Sequence, residues 1–386
     1  MNFVSFSVDY WDGPRANRQN FLEELGRQSR VMYVSPPFYI VKLLQQLGKG
    51  TLPASGVRQL SPGLIDYTPS KWLFTNHRVR PLNDAFKALR LRRVRKLLRR
   101  YDLRDPILLI WHPQHADMVG QLGERLVVYY AYDQYSGYTG GDAKPSPTEI
   151  KLLERADLVF TVSHELMRDK QQFVANPSKI VHLPNAVDFD RFSAARREDT
   201  RIPDDLDRLP RPRLGYIGSI NEKLNLPVLE ALSSHRPNCS VVLVGRDNYT
   251  NADEKRRFQA LVARPNVHWL GYREYDLVPA YIKGLDVCMM CYVVNNWTFY
   301  GDPLKLHEYL ASGKPTIGTG LQSVKDFADV VMIPESPSEW VAAVDEALAE
   351  RNPELVERRI ETARANSYSD RIRSFLTTVE GALNGH

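Results

Sequence analysis

The sequence predicts an α/β protein built from two doubly wound, parallel-sheet domains in tandem. Three observations carry that prediction. The chain is 386 residues long, and at about 100 to 200 residues per domain that length calls for two cores rather than one. Short apolar runs alternate with amphipathic stretches along both halves, the pattern of parallel strands covered by helices. Between the halves lies a charged, proline-containing stretch, ARREDTRIPDDLDRLPRPR, with little apolar periodicity, and such a stretch reads as a linker.

In the first half, strands fall near 2–8 (NFVSFSV), 31–34, 106–111 (PILLIW), 126–131 (LVVYYA), 158–162 (LVFTV) and 180–183. Helical patterns near 17–27, 81–100, 148–155 and 164–174 separate many of them. In the second half, strands are expected near 213–217 (RLGYI), 240–244 (SVVLV), 266–270, 285–292 and 315–317, with helices near 224–233, 276–283, 303–312, 337–349 and 353–365. The expected division is a first domain over 1–190, a linker over 191–212, a second domain over 213–365 and a C-terminal helix over 366–386 packing back on the first domain.

Composition removes several classes of function. The chain is 43% hydrophobic and 25% charged, which argues against disorder and fibres. The longest stretch without a charged residue, Val287 to Gly301, has 15 residues and contains Asn295, Asn296 and Thr298, too few and too polar to span a bilayer. No secretory signal is read at the start, where the first basic residue is Arg15. The expected location is therefore cytoplasmic. Three cysteines make no disulfide framework, and Cys288 and Cys291, although spaced as CxxC, sit in a strand where positions three apart face opposite ways.

The net charge of +5 conceals an asymmetry: residues 1–104 carry 19 Lys or Arg against 7 Asp or Glu, and residues 105–386 carry 32 against 39. Basic charge peaks between Phe86 and Arg104, where Arg92, Arg93, Arg95 and Lys96 stand among Leu89, Val94, Leu97 and Leu98. That spacing makes an amphipathic helix with a cationic face. It suits an anionic membrane surface, with Trp72 in a nearby apolar segment as a shallow anchor, or it is a solvated face of a domain helix. Nucleic acid is not expected as a partner, because no helix-turn-helix pattern or aromatic platform accompanies the charge.

Ligands of open α/β sheets gather beyond the carboxyl ends of the strands. Gly218 and Ser219 close the first strand of the second half, and Gly245 and Arg246 the next; glycine there lets backbone amides approach a phosphate. In GDPLKLHEYLASGKPT, Pro303 starts a helix on which Lys305 and Glu308, three apart, share a face. The lysine can neutralise a diphosphate and the glutamate can accept hydrogen bonds from ribose, or the two form an exposed ion pair. In the first half, Asp133 follows a strand and His112 follows another. Either can serve as an acid-base group at a strand end, and either can equally cap the turn it begins.

The stretch PLKLHEYLASGKPT, with GYIGSI, VVLVG, NVHWLGYREYDLVPAYIKGLDV and ADLVFTVSHELM...KIVHLPNAVDFDRF, resembles the GT-B glycosyltransferases along nearly the whole chain. In motif order and length the likeness is to the membrane-associated β-glucuronosyltransferase of xanthan assembly and to bacterial teichuronic and capsular polysaccharide transferases. The resemblance implies two Rossmann-like domains facing across a cleft, with an acceptor on the first domain and a nucleoside diphosphate sugar, a uridine one, on the second. Lys305 would then lie near the diphosphate, Glu308 at the ribose, and Gly218, Ser219, Tyr272 and Tyr292 near the nucleotide, with Arg246 and Leu304 also among the donor-binding residues. RLVVYYAYDQYSGYTG resembles the xanthan-type segment that carries the catalytic base, which implies Asp133 in that role, with His112 as the alternative catalytic residue. Many retaining relatives have Glu where this chain has Tyr300, and its loss implies an inverting transferase.

No metal or other cofactor is expected. Asp188 with Asp190, and Asp205 with Asp207, satisfy a DxD pattern, yet neither pair is at a strand end beside the diphosphate. The expected activity is transfer of a sugar to a lipid-linked saccharide by a protein peripheral on the inner face of the membrane. The rival readings are a retaining transferase of the same fold, a nucleotide-sugar epimerase and a non-catalytic sugar-nucleotide-binding partner.

Overall fold

The computed structural model describes residues 1–13, 15–39, 53–75, 80–135 and 144–385. The chain divides into two compact units, Met1–Leu183 with Ile372–His386, and Pro184–Arg371. In the first unit, β1 (Asn2–Phe6), β2 (Arg30–Val34), β3 (Gly56–Ser61), β4 (Leu64–Thr68), β5 (Ile107–Ile110), β6 (Leu126–Ala131), β7 (Leu158–Thr161) and β8 (Ile180–His182) form one sheet in the order β3-β4-β2-β1-β5-β6-β7-β8. Every pairing is parallel except that of β3 with β4. In the second unit, β9 (Arg213–Ile217), β10 (Ser240–Val244), β11 (Val267–Gly271), β12 (Val287–Met290) and β13 (Thr316–Gly318) run parallel in the order β11-β10-β9-β12-β13. Both sheets reverse winding direction beside their first strand, at β1/β5 and at β9/β12, so each unit has a Rossmann-type switch point where loops part and leave room for a ligand.

The strands read as continuous apolar runs because both faces of each sheet are covered. In β10, Val242 and Val244 enter one core cluster of the second unit while Val241 and Leu243 enter another. Cys288 and Cys291 divide in the same way, and burial pushes both thiols up to about 12. They are packed apolar groups on opposite sides of the sheet.

The structure departs from the sequence expectation in several places. The units divide after Leu183, not after residue 190, and residues 191–212 are not a bare tether. Phe192, Ala195 and Leu206 are buried in the second unit's core, while Arg273 and Tyr281 hold Asp205. The charges face outward around a few apolar anchors, which is why the stretch looked unstructured. The hairpin of β3 and β4 went unread because β3, GVRQLS, is an edge strand with no buried residue and no apolar alternation. The helix Ala252–Val262 went unread because it buries only Phe258 and Leu261. The helix Tyr368–Asn384 passes into the first unit, where Ile372, Phe375 and Val379, spaced 3 and 4 apart, are fully buried. Phe375 packs its ring 5.8 Å from Phe3, 5.1 Å from Phe21 and 4.9 Å from Phe160.

Candidate functional site

The switch point of the second unit assembles most of the residues expected to hold a donor. After β9 the chain turns at Gly218, whose N–H donates to the Val244 carbonyl at 2.8 Å, and Ile220 N–H donates to the Arg246 carbonyl at 3.0 Å. The loops after β9 and β10 are thereby locked together. A Cβ at Gly245 would fall on the Gly218 carbonyl, so the approach requires glycine. A Cβ at Gly218 would overlap the Lys305 side chain and come within 2.9 Å of the Tyr216 hydroxyl; the lysine lies directly over this glycine. Ser219 accepts a hydrogen bond from Asn248 at 2.7 Å.

Lys305 is aimed there by its helix, Leu304–Leu310, which starts one residue later than expected, with Pro303 at the cap position. Leu306, His307, Tyr309 and Leu310 are buried, and the Tyr309 hydroxyl accepts from Ile217 N–H at 2.9 Å, fastening the helix to the end of β9. Lys305 and Glu308 remain half-buried on the other face. No ion pair within 4.0 Å joins them: the ammonium turns to Gly218 and not to the carboxylate. Burial pushes the Glu308 carboxyl up, and the charges of Lys305 and His307 oppose that rise. The approach to this helix is fixed by Asp302, which accepts from Asn185 N–H at 2.7 Å and faces buried His307 at 3.6 Å.

Arg246 stacks over the Tyr272 ring, 4.7 Å from its centroid, and Tyr272 is 42% exposed, leaving an aromatic face for a planar ligand group. Tyr292 follows β12, its N–H donating to Thr319 Oγ1 at 2.8 Å and its ring 6.0 Å from Tyr216. Sequence reasoning missed Tyr309, Thr319, Asn248 and Asn185. Each acts through one or two polar groups against a distant segment, and only Tyr309, one turn beyond Lys305, had a positional signal.

In the first unit, Asp133 lies just beyond β6, half-buried, with Oδ1 accepting from Gln134 N–H at 2.9 Å. Buried polar groups hold this turn. Lys170, wholly buried, pairs with Glu149 at 3.1 Å and Asp169 at 3.2 Å and donates to the Gln134 side-chain carbonyl. Gln134 donates to Asp169 at 2.9 Å and Tyr129 to Glu149 at 2.9 Å. His112 caps the 3-10 turn Pro113–Met118, its Nδ1 accepting from Gln114 N–H at 3.2 Å. Its ring centroid lies 4.5 Å from that of Tyr135. Burial lowers the His112 pKa, against a smaller opposing pull from Asp9, so the ring is neutral at pH 7.

The basic helix Arg80–Arg100 buries Leu91, Val94, Leu97 and Leu98 and exposes Arg92, Arg93, Arg95 and Lys96. Arg95 also donates to the Gln121 carbonyl at 2.8 Å. Trp72 is 83% exposed, whereas Phe74 packs against Phe86 at 5.2 Å, so of this segment the tryptophan stands out alone. A second apolar stretch of the first half, YIVKLL over 39–44, which the sequence offers as another membrane-facing segment, lies, apart from Tyr39, outside the described residues.

Among the described residues no helix is long and apolar enough to cross a membrane, and no cluster of three or more His, Cys, Asp or Glu could hold a metal ion. Of the DxD carboxylates, Asp188 caps a helix and pairs with Arg191, Asp205 is held by Arg273 and Asp207 lies 3.5 Å from Arg213. A hollow of about 560 Å³ lined by Ser240, Asn266 and His268 opens at the amino ends of β10 and β11, the end of such a sheet where ligands do not gather.

Residues 211–350 match the family described as glycosyl transferases group 1. The switch point with Lys305, Glu308 and Gly218 lies within this stretch. Over 234 residues the chain is 29% identical to TuaH of Bacillus subtilis, whose name assigns it to teichuronic acid biosynthesis as a glycosyltransferase; the match spans 59% of this chain and 58% of that relative. Among solved structures, Anabaena HepE in complex with UDP and glucose aligns with a TM-score of 0.67 at 13% identity, covering 98% of this chain and 100% of that one. Sucrose-phosphate synthase from Thermosynechococcus elongatus aligns with a TM-score of 0.71 at 15% identity, covering 100% and 99%. WaaG, a glycosyltransferase of lipopolysaccharide biosynthesis, aligns at 0.64 and 16% identity, covering 96% and 98%. The fold is that of the GT-B glycosyltransferases, two Rossmann-like units.

Proposed function

We propose that this protein is a glycosyltransferase of bacterial surface polysaccharide biosynthesis. It moves a sugar from a uridine diphosphate sugar to a lipid-linked saccharide while docked on an anionic membrane surface. The observation that carries the donor half is Lys305 lying over Gly218 at the switch point of a group 1 domain, with Glu308 one turn on and engaged in no ion pair. An ammonium group over a glycine turn is suited to the leaving diphosphate, whose charge grows as the glycosidic bond breaks, and a half-buried carboxylate is suited to the ribose hydroxyls. Uridine is supported by HepE, which was crystallised with UDP, and polysaccharide assembly by the name of TuaH.

On this reading Asp133 is the base. Its carboxylate takes the acceptor hydroxyl proton as that oxygen attacks the anomeric carbon from the face opposite the nucleotide, and the sugar is delivered with inverted configuration. Tyr300, where retaining relatives carry Glu, supports inversion. Lys305 supplies the counter-charge for the departing nucleotide without a divalent cation. The test has two stages: calorimetry of UDP, GDP and CMP against the protein, then NMR of the anomeric configuration of the product formed on a membrane extract. Selective UDP binding and an inverted product are expected. Failure of all three nucleotides to bind overturns the donor site, and a product of retained configuration overturns Asp133 as base.

A further inference from the structure

The first unit contains a cavity of about 220 Å³ at the carboxyl ends of its strands, between the sheet and the helix Arg80–Arg100. It is distinct from the turn that carries Asp133, which does not line it. Phe6, Tyr67, Leu91, Val94 and Met118 give it apolar walls. Its charged side chains are already engaged with the protein. Lys87 pairs with Asp117, and the Arg90 guanidinium donates to the carbonyls of Leu73 at 2.7 Å and Phe74 at 3.4 Å. Burial lowers the pKa of His115 to about 4, which leaves a neutral imidazole in the wall at pH 7.

Two polar atoms of the lining are left over. Thr75 is 8% exposed, and its Oγ1 has no hydrogen-bond partner; nor has the buried Oδ1 of Asn83. Both residues line the cavity. Buried polar atoms are almost always satisfied, so the natural occupant carries hydrogen-bonding groups. An alkyl chain would leave both atoms orphaned, at the full desolvation cost. An ionised group such as phosphate has no proton to give the Asn83 Oδ1, which only a donor can satisfy, and the volume is below the range of about 300–1,000 Å³ typical of sites for drug-sized ligands, so one ring fits and a long chain does not.

We propose that this cavity is a saccharide subsite that seats one neutral sugar ring of the acceptor, with Thr75 and Asn83 bonding its hydroxyls and Tyr67 and Phe6 against its apolar face. The assignment of that sugar to an acceptor rests on the transferase reading above; the binding of the ring does not. The experiment is saturation-transfer NMR on the full chain with methyl glucoside, galactoside and mannoside as sugar probes and n-octyl phosphate as the alkyl probe, without nucleotide. At least one glycoside should receive saturation at its ring protons. The near-isosteric Thr75→Val with Asn83→Leu should weaken that binding about tenfold, as the loss of one to two hydrogen bonds implies, at an unchanged thermal midpoint. Should the double variant be poorly folded, Thr75→Val alone carries the test, with a loss of a few-fold. Absence of transfer to every glycoside, transfer unaffected by the variants, or preferential saturation of the octyl chain would each overturn the subsite. UDP binding read separately by calorimetry tells the two proposals apart, since glycoside binding without UDP binding leaves the cavity standing and removes the donor.

Discussion

The two sheets each reverse winding beside their first strand, and their carboxyl ends are equipped differently. Beyond β9 and β12 the second unit presents a cation over a glycine and a carboxylate with no ion-pair partner, and beyond β11 an aromatic face on Tyr272. At β5 and β6 the first unit presents Asp133 and His112, each already holding a backbone N–H of its own turn, above a buried network centred on Lys170. The second unit's end is thus built around charge awaiting a partner, and the first unit's around charge consumed in fixing a turn. A base needs such fixing, because proton transfer depends on placing one oxygen within hydrogen-bond reach of the acceptor hydroxyl. A diphosphate, which carries its own strong charge, needs mainly a cation and an open backbone.

This contrast can be broken by experiment. The largest effect is expected for Asp133→Asn, which keeps the turn and removes the base: kcat should fall by about 10²- to 10⁴-fold while calorimetric affinity for UDP is unchanged. Near-normal turnover would leave Asp133 as a cap alone and move attention to His112. Next is charge reversal of Arg92, Arg93, Arg95 and Lys96 to Glu. With about 1 kcal/mol per exposed cation at an anionic surface, co-sedimentation with anionic vesicles at low salt should be abolished. Wild-type binding should itself fade as salt shortens the Debye length from about 10 to 3 Å. Equal binding to neutral vesicles would make the cationic face a solvated one.

Lys305→Ala and Glu308→Ala should each weaken UDP binding by about 10- to 100-fold, the cost of about 1.5–3 kcal/mol for a charge-assisted contact. Unchanged affinity in both would place the donor elsewhere. The smallest effect is on stability. His115 has a folded pKa of about 4 against an ordinary 6.5, so as pH falls below 6.5 the unfolded chain takes up the proton first and stability declines until about pH 4. The loss should reach at most about 2 kcal/mol by pH 5. His115→Gln, followed by urea denaturation at pH 7 and pH 5, should lack this component; an identical pH slope would mean that the ring is hydrated in the native state.

Much of the fold was legible because strands buried on both faces announce themselves as apolar runs, as in ILLI of β5 and VCMM of β12. What was hidden had little apolar surface to show. Strand β3 is an edge, the helix Ala252–Val262 rests on two side chains, and Phe192 and Leu206 sit among charges that mask their burial. The pairing of Lys305 with Glu308 on one helix was legible as a set of residue types, but not the turn of Lys305 toward Gly218 in place of Glu308, which depends on Tyr309 fastening the helix to Ile217. The cavity under the basic helix could not be read at all, since its wall draws on segments near 6, 34–39, 67–75, 83–94 and 114–118 that only the sheet brings together.

The return of Ile372, Phe375 and Val379 into the first unit also sets an order of synthesis. Domains generally fold as they leave the ribosome, N-terminal first. Here the first unit lacks three fully buried side chains until residue 379 has emerged, after every residue of Pro184–Arg371 has been made. The second unit can complete its core while the first waits with an apolar slot over Phe3, Phe21 and Phe160 open to water. The nascent chain is therefore most exposed to chaperones and proteases at its beginning, and the last helix decides when that exposure ends.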